Sequence, residues 1–261
     1  MKLPDYERVI YEYNPLIEVT AQIRFPTILK ITSQQPVDFQ DRVRFEYPIF
    51  EASRNLQIPV EVSNLLTQFS PNIASDLTYQ FKSEDLSCQL SLDKNSITLV
   101  TNKYERYEKF IEKFKNTVEI FENIYNPSFY SRISLRYRDL IIRSKLNIPE
   151  KKWNELIPKH IASELYTPEL EESIINFIKN LKLQTDFGQV NFNHGLVQVK
   201  DTEKNLDELA YLLDADFFTQ KKLERGENVW STFDKANRTA RNLFRWSITK
   251  ELHNAMRPQT I

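Results

Sequence analysis

The residues of this sequence that are able to do chemistry lie in three groups, and the first is a pair of carboxylates. Asp214 and Asp216 are two positions apart in a segment that alternates like a strand, so both side chains would point to one face of a sheet. Two converging carboxylates suit Mg²⁺ or Mn²⁺, with water and a substrate phosphate completing the coordination. The alternative is a solvated acidic face, since four further carboxylates precede the pair between positions 201 and 208.

The second group is a row of arginines. Arg132, Arg136 and Arg138 would share one face of a strand predicted over 129–142, and Tyr130 would lie on the same face. Guanidinium groups in a row can bind phosphates through forked donors, and a neighbouring aromatic ring suits base stacking. This group therefore predicts nucleotide or nucleic-acid binding.

Cross-strand pairing is the alternative for these arginines. Carboxylates of neighbouring strands, such as Glu18 or Glu84, would then neutralise them. We favour the pairing because the chain as a whole is not basic: 35 Lys and Arg stand against 36 Asp and Glu, for a net charge of -1.

The third group lies on the last predicted helix. Arg238, Arg241 and Arg245 follow a spacing of three and four and form a stripe beside the apolar one, with Trp246 next to it. Such a stripe is typical of the solvated side of an amphipathic helix. It could also be an interface for an acidic partner, including segment 201–216 of a second copy, with the tryptophan as its anchor.

The remaining reactive residue types are few. His160, His194 and His253 are scattered, which favours structural or surface roles over a general base. Cys88 lies on the apolar side of an alternating segment and is expected to be a small buried hydrophobe. A single cysteine excludes an intrachain disulfide and fits a reducing compartment.

Glycine scarcity excludes several familiar sites. The sequence has three glycines, Gly188, Gly195 and Gly226, and all lie in the last third. Phosphate-binding loops and nucleophile elbows need glycine where the backbone approaches a ligand or takes a positive φ. The first two-thirds therefore holds no P-loop, no dinucleotide fingerprint and no nucleophile elbow, and we predict no cofactor.

The composition is that of an ordinary globular protein. Hydrophobic residues make up 41% of the 261 positions and charged residues 27%, and the charges balance. The opening residues lack the apolar run of a signal peptide, and no stretch approaches the roughly 20 apolar residues of a membrane helix. We therefore expect a cytoplasmic protein that does not bind a membrane.

Periodicity predicts the elements that must position these groups. In the first half, strands are predicted over 16–25, 78–82, 86–92 and 96–101, with a turn at 93–95 and a helix over 105–125. A short helix is expected after Pro36, and prolines at 48, 59 and 71 predict an irregular stretch. In the second half, the strand over 129–142 is followed by a helix over 168–180, two strands meeting at 194–195, a strand over 209–218 and a closing helix from 229.

The order strand, helix, three strands, helix appears twice. It predicts an α+β protein made of two pseudo-repeated halves, 1–128 and 129–261, in which long helices pack on an antiparallel sheet. The two halves are expected to pack intimately or to form one domain.

Short motifs along the whole chain resemble a known family. They are NPLIEV at 14–19, IRFP at 23–26, LRY at 135–137, LDAD at 213–216, NLF at 242–244 and ITKEL at 248–252. They are similar to a sporadically distributed bacterial family of conserved hypothetical proteins of about this length. That family tends to have Asn after its Arg-Tyr pair, where this chain has Arg138 and Asp139. The resemblance implies no activity or catalytic residue, and its patchy distribution is like that of mobile accessory and defence genes.

Three functions are open at this point. The first is a non-catalytic cytoplasmic binding or assembly protein that acts through a protein partner or self-association, as an accessory of a mobile or defence-type gene cluster. The second is a nucleotide or nucleic-acid binder that uses the sheet arginines. The third is a metal-dependent phosphoryl-cleaving enzyme that uses Asp214 and Asp216.

Overall fold

Most strands pair into one antiparallel sheet in the computed structural model of the chain, which describes residues 1–55, 76–171, 173–201 and 206–260. The strands are β1 Val9–Tyr11, β2 Leu16–Arg24, β3 Ile49–Asn55, β4 Asp76–Lys82, β5 Cys88–Asp93, β6 Ser96–Thr101, β7 Arg132–Ile141, β8 Lys179–Gln184, β9 Gln189–Asp201, β10 Leu206–Thr219 and β11 Pro258–Thr260. The helices are α1 Leu29–Ser33, α2 Val37–Val43, α3 Tyr107–Tyr125, α4 Trp153–Leu156, α5 Pro168–Glu171, α6 Glu227–Trp246 and α7 Lys250–Ala255. The predicted α+β class with a large antiparallel sheet is confirmed.

The centre of the sheet joins the two halves of the chain. Within the described ranges the nine-stranded sheet has the order β3-β4-β5-β6-β2-β7-β10-β9-β8. β2 pairs antiparallel with β7, so that Ile23 lies opposite Ile133. β1 and β11, from opposite ends of the chain, pair separately, with Val9 opposite Thr260. Backbone hydrogen bonds therefore link residues 1–128 to residues 129–261 directly.

The hairpin of β5 and β6 forms where the sequence predicts it. The Asp93 carboxylate accepts hydrogen bonds from the backbone N–H groups of Asn95 at 2.8 Å and Ser96 at 2.7 Å. These bonds mimic a backbone turn and fix the register of the two strands, which is the usual role of aspartate in tight turns.

The helix α3 also forms where its apolar stripe predicts it. Phe114, in the middle of the stripe, is fully buried, and its ring meets that of Phe233 on α6 edge to face at 5.8 Å between centroids. The helix ends at Asn126, whose left-handed backbone lets its N–H bond the Glu122 carbonyl, and Pro127 follows. In the described part of the chain, no helix is long and apolar enough to cross a membrane.

The two faces of the sheet differ in polarity. On β2, the side chains of Val19, Ala21 and Ile23 are fully buried, whereas Thr20 and Gln22 between them are half-buried. The apolar side, here called the inner face, packs against the helices, with α6 over β7 and β10. The opposite side is called the open face. Its half-buried polar residues include Gln89, Ser91, Thr98, Arg136 and Asp216.

The predicted helix over 168–180 is wrong. α5 is a single turn, and the chain re-enters the sheet as β8. Leu170 and Ile178, two apolar residues of this segment, are 47% and 44% exposed. The edge of β9 explains the difference, because the Phe177 N–H donates to the Leu196 carbonyl at 3.0 Å and β8 continues this pairing. Backbone pairing at this edge outweighs the helical pattern of the side chains.

Two other local predictions are wrong. His194 and Gly195 do not form a turn but lie inside β9, a continuous strand opposite β10. Glycine fits there because a Cβ at position 195 would lie 1.9 Å from the Phe177 carbonyl oxygen. The irregular stretch expected from Pro48 onward begins instead with β3, which pairs with β4. The prolines at 59 and 71 lie outside the described residues.

Candidate functional site

The carboxylate pair and the arginine row, two separate candidates in the sequence, meet on the open face. β7 and β10 are neighbours, and their register places Asp214 opposite Arg138 and Asp216 opposite Arg136. Residues directly or diagonally opposite on one face of an antiparallel pair lie within reach of long side chains. The strand pairing therefore brings both candidate sites into one cluster.

Asp214 is bound by two arginines. Arg136 donates from Nε to Oδ1 at 2.7 Å and from Nη2 to Oδ2 at 2.5 Å, which is the forked geometry of a strong arginine–carboxylate pair. Arg138 Nε lies 3.8 Å from Oδ2, while its Nη1 lies 3.5 Å from Glu18 on β2. The Asp214 side chain is 7% exposed, so the arginines cover it almost completely. Hydrogen bonding to Asp214 raises the pKa of Arg136.

Asp216 has its own partners. Arg132 donates from Nη2 to Oδ2 at 2.7 Å, and the Ser134 hydroxyl donates to Oδ1. The Arg132 guanidinium lies over the Phe218 ring, 4.0 Å from its centroid. Burial lowers the pKa of Arg132, and the Asp216 carboxylate opposes that change. Arg132 keeps its charge in this pair, because an arginine stays protonated under physiological conditions.

This network is the cross-strand pairing that the sequence favoured, including its contact with Glu18. None of the described ion pairs of the three arginines involves Glu84. The lone pairs that a metal ion would need on Asp214 and Asp216 accept hydrogen bonds instead. Among the described residues, no group of three or more His, Cys, Asp or Glu side chains could hold a metal ion. The forked donors that a phosphate would need are likewise directed at these carboxylates.

Tyr130 does not lie on the open face beside the arginines, which corrects that prediction. Its side chain is 1% exposed, and its hydroxyl donates to the Glu122 carboxylate at the end of α3. The cause is its position before β7, where its backbone pairs with Leu223 instead of joining the central strands. Burial raises its pKa, and Glu122 adds to the effect. A ring buried in this way is unavailable for stacking on a base.

The arginine stripe of α6 contacts the N-terminal arm, which we define as residues 1–13. Arg241 pairs with Asp5 at 3.1 Å, and the Arg245 guanidinium lies over the Tyr6 ring at 5.3 Å. Arg238 is exposed. Much of the stripe is therefore engaged by the chain's own first residues.

Trp246, the expected anchor beside the stripe, packs against His160. The two ring centroids are 4.3 Å apart, and His160 Nε2 lies 3.0 Å from the Trp246 carbonyl oxygen. The indole is half-buried. Trp246 therefore packs on the segment between α4 and α5.

A cavity between the sheet and α6 contains a group that the sequence interpretation missed. The cavity has a volume of about 160 Å³, and its lining includes Tyr11, Tyr104, Tyr137, Asp139 and Phe244. Asp139 is 8% exposed and lies on the inner face of β7, opposite Leu213 of β10. Burial raises its pKa to about 8, and the charge of Asp214 contributes to the rise.

A sequence signal for Asp139 does exist. It occupies an odd-numbered position of β7, in phase with the buried Ile133, Leu135 and Ile141. A carboxylate in phase with the core positions of an alternating strand is unusual, because a buried charge is costly without a partner. The alternation of the strand in the sequence therefore indicates that Asp139 is an unusual buried carboxylate.

Comparison with known proteins adds no relative. No protein-family model matches the chain, and no curated protein matches its sequence.

Proposed function

We propose that the protein is a non-catalytic binding protein that docks an acidic surface of a protein partner on the open face of its sheet. The observation that carries this proposal is the ion-pair network of β7 and β10. Its arginines are held in fixed orientations by hydrogen bonds, so they form a preorganised polar surface. Arrays of this kind give binding specificity through complementary charge.

The charge of this surface favours an acidic partner. Arg136 is 39% exposed and uses Nε and Nη2 for Asp214, so its Nη1 forms none of the described hydrogen bonds. Arg24 on β2 is exposed, lies opposite Arg132, and has no carboxylate partner among the described residues. The positive charges of Arg24 and Arg132 repel each other, so an acidic group placed between the two arginines would relieve the repulsion.

The test is capture of purified products of neighbouring genes by the immobilised protein, as the wild type, as Arg24→Glu and as Arg106→Glu. Arg106 is an exposed arginine at the start of α3, outside the sheet, and serves as the matched control. A stoichiometric complex that survives Arg106→Glu and weakens at least tenfold with Arg24→Glu supports the proposal. Failure to capture any protein, or equal capture by all three forms, refutes it.

We also propose that the two halves are structural repeats of each other. The strand order supports this, because the first strand that each half contributes to the nine-stranded sheet pairs with the last one that it contributes: β2 with β6 and β7 with β10. The two first strands then pair with each other at the centre. Superposition of the halves, with α3 on α6, tests the proposal directly, and unrelated positions of these helices would refute it. Cytoplasmic location, membership of the bacterial family that the motifs resemble and an accessory role in a mobile or defence-type gene cluster stay predictions.

A further inference from the structure

We propose that the cavity between the sheet and α6 binds a small organic ammonium ion, with the Asp139 carboxylate as its counter-ion. The cavity lies on the inner side of the sheet, away from the open face, so the inference is independent of the function proposed above. The site combines a buried acid with aromatic rings around a volume of about 160 Å³.

The first argument is the isolation of Asp139. No hydrogen bond or ion pair joins its carboxyl group to any described residue, although the side chain is 8% exposed. Buried polar groups in proteins almost always have a partner, and a buried carboxylate without one is costly. Asp139 borders the cavity. A ligand with a positive charge would supply the missing partner.

The second argument is the aromatic lining. The rings of Tyr104 and Tyr137 are perpendicular, with centroids 6.0 Å apart, and those of Tyr11 and Phe244 are inclined at 63° and 5.9 Å apart. Both pairs border the same cavity as Asp139. Aromatic faces attract ammonium groups through their quadrupoles, most strongly where water is excluded. A carboxylate surrounded by such rings is the arrangement that recognises alkylated or primary amines.

The size of the cavity limits the ligand. Its volume is about 160 Å³. An apolar cavity of about 150 Å³ is sufficient to bind benzene. The ligand class is therefore an ammonium group on a short aliphatic chain or a single ring.

Two arginines border the cavity and could favour an anion instead. Arg241 pairs with Asp5 and the Arg245 guanidinium lies against Tyr6, but Arg241 Nε and Arg245 Nη1 are buried without a hydrogen-bond partner among the described residues. Neither forms a described ion pair with Asp139. An anion could bind these two nitrogens, but the aromatic lining beside Asp139 favours an ammonium ion. An anion held by the arginines is a distinct outcome of the test.

Ammonium binding should depend on pH, because it requires the ionised form of Asp139. The pKa of the Asp139 carboxyl is about 8, so the empty cavity holds a neutral acid at neutral pH. The charged or titratable groups around it are Tyr11, Tyr104 and Tyr137, Arg241 and Arg245 on α6, and Asp214 of β10, whose side chain lies on the open face. Burial raises the pKa of Tyr11 and Tyr104 to about 12, and that of Tyr137 also rises, so the phenols stay neutral. His253, beyond the Tyr11 hydroxyl at 2.8 Å, has a lowered pKa.

The experiment is calorimetric titration of the full chain with benzylammonium, n-butylammonium, benzyl alcohol and benzoate, at pH 6 to pH 8. We expect at least one ammonium probe to bind and the neutral alcohol and the anion to bind more weakly. With a pKa of about 8 for Asp139, ammonium affinity should rise about 50-fold between pH 6 and pH 8. Asp139→Asn should weaken ammonium binding at pH 8 at least tenfold and remove the pH dependence.

Each contrary result overturns the proposal. Tighter binding of benzoate assigns the cavity to an anion held by Arg241 and Arg245, and no binding of either ammonium probe at millimolar concentration leaves the cavity without this function. Unchanged ammonium binding by Asp139→Asn would show that Asp139 is not the counter-ion. If that variant does not fold, the wild-type probes decide, because benzyl alcohol that binds as tightly as benzylammonium at pH 8 would show that the cavity does not recognise the ammonium charge.

Discussion

Replacing Asp139 by asparagine should stabilise the protein at high pH, although it removes a charged residue from the sheet. The folded-state pKa of Asp139 is about 8, against 3.8 for an ordinary aspartate. Between these values the folded chain holds one proton more than the unfolded chain. The stability that belongs to the neutral acid is complete below the unfolded pKa and is lost as the pH rises through the folded one.

The magnitude follows from that difference in protons. One proton changes the free energy of unfolding by about 1.4 kcal/mol per pH unit. Between pH 5 and pH 8 the wild type should therefore lose about 4 kcal/mol relative to Asp139→Asn, which has nearly the same shape and does not ionise. The stability advantage of the variant grows with pH over this window.

The assay is urea unfolding of both proteins at four pH values from 5 to 8, with the difference in free energy taken at each. The difference is needed because other groups titrate in the same window. Burial lowers the pKa of His194 to about 4, for example, and this contributes in the opposite direction below its unfolded value of 6.5. Asp186→Asn is the matched control, since Asp186 is exposed in the turn between β8 and β9. It shows how much of any change arises from replacing an exposed aspartate.

A difference between wild type and Asp139→Asn that stays constant within about 1 kcal/mol from pH 5 to pH 8 would refute the reasoning. It would mean that Asp139 is ionised and solvated in the folded protein, as it is in the unfolded chain. The ammonium site would lose its pH dependence with it. A difference of the opposite sign would mean that the carboxylate has a cationic partner.

Three further predictions concern the core, the open face and β9. Phe114→Ala should lower the free energy of unfolding by about 3–5 kcal/mol in chemical unfolding, because the side chain is fully buried against α6. The control Lys113→Ala, at an exposed position, should change it by no more than about 0.5 kcal/mol. Equal effects would mean that the buried face of α3 is assigned wrongly. The double change Arg132→Ala and Arg136→Ala should destabilise the fold by about 1–3 kcal/mol for each carboxylate that loses its hydrogen-bonded arginine. Wild-type binding of an oligonucleotide at low salt that the double variant loses without a fall in melting temperature would contradict this. Gly195→Ala should cost about 1–3 kcal/mol because its Cβ has no room beside a carbonyl oxygen. Unchanged thermal stability would show that the neighbouring segment moves away freely.

Local patterns predicted the local elements well. The alternation of β2, the turn at Asp93 and the apolar stripe of α3 are each decided by residues near one another in sequence. The helix predicted over 168–180 was wrong although the apolar spacing of this segment fits a helix. A distant strand, β9, supplied the hydrogen bonds that made the end of it extended. Local periodicity carries no information about such a partner.

The charged residues of the candidate site were identified, but their relation to one another was not predictable. Asp214 lies 78 residues from Arg136, and whether they touch depends on the register of β7 against β10. A shift of that register by one residue would place the carboxylates on the other face. For Asp139, the alternation of β7 indicated burial, because the carboxylate occupies a position in phase with core residues. The depth of its burial depended on the helix and the arm that cover it.

The pairing of β2 with β7 also bears on how the chain is made. β2 finds β6 within the N-terminal half, but its other edge pairs with residues 132–141. A growing chain therefore carries β2 with one row of backbone N–H and C=O groups unpaired until β7 has left the ribosome. An open strand edge is a template for pairing with other chains. The interval between synthesis of the two halves is thus the period in which the nascent protein is most exposed to aggregation.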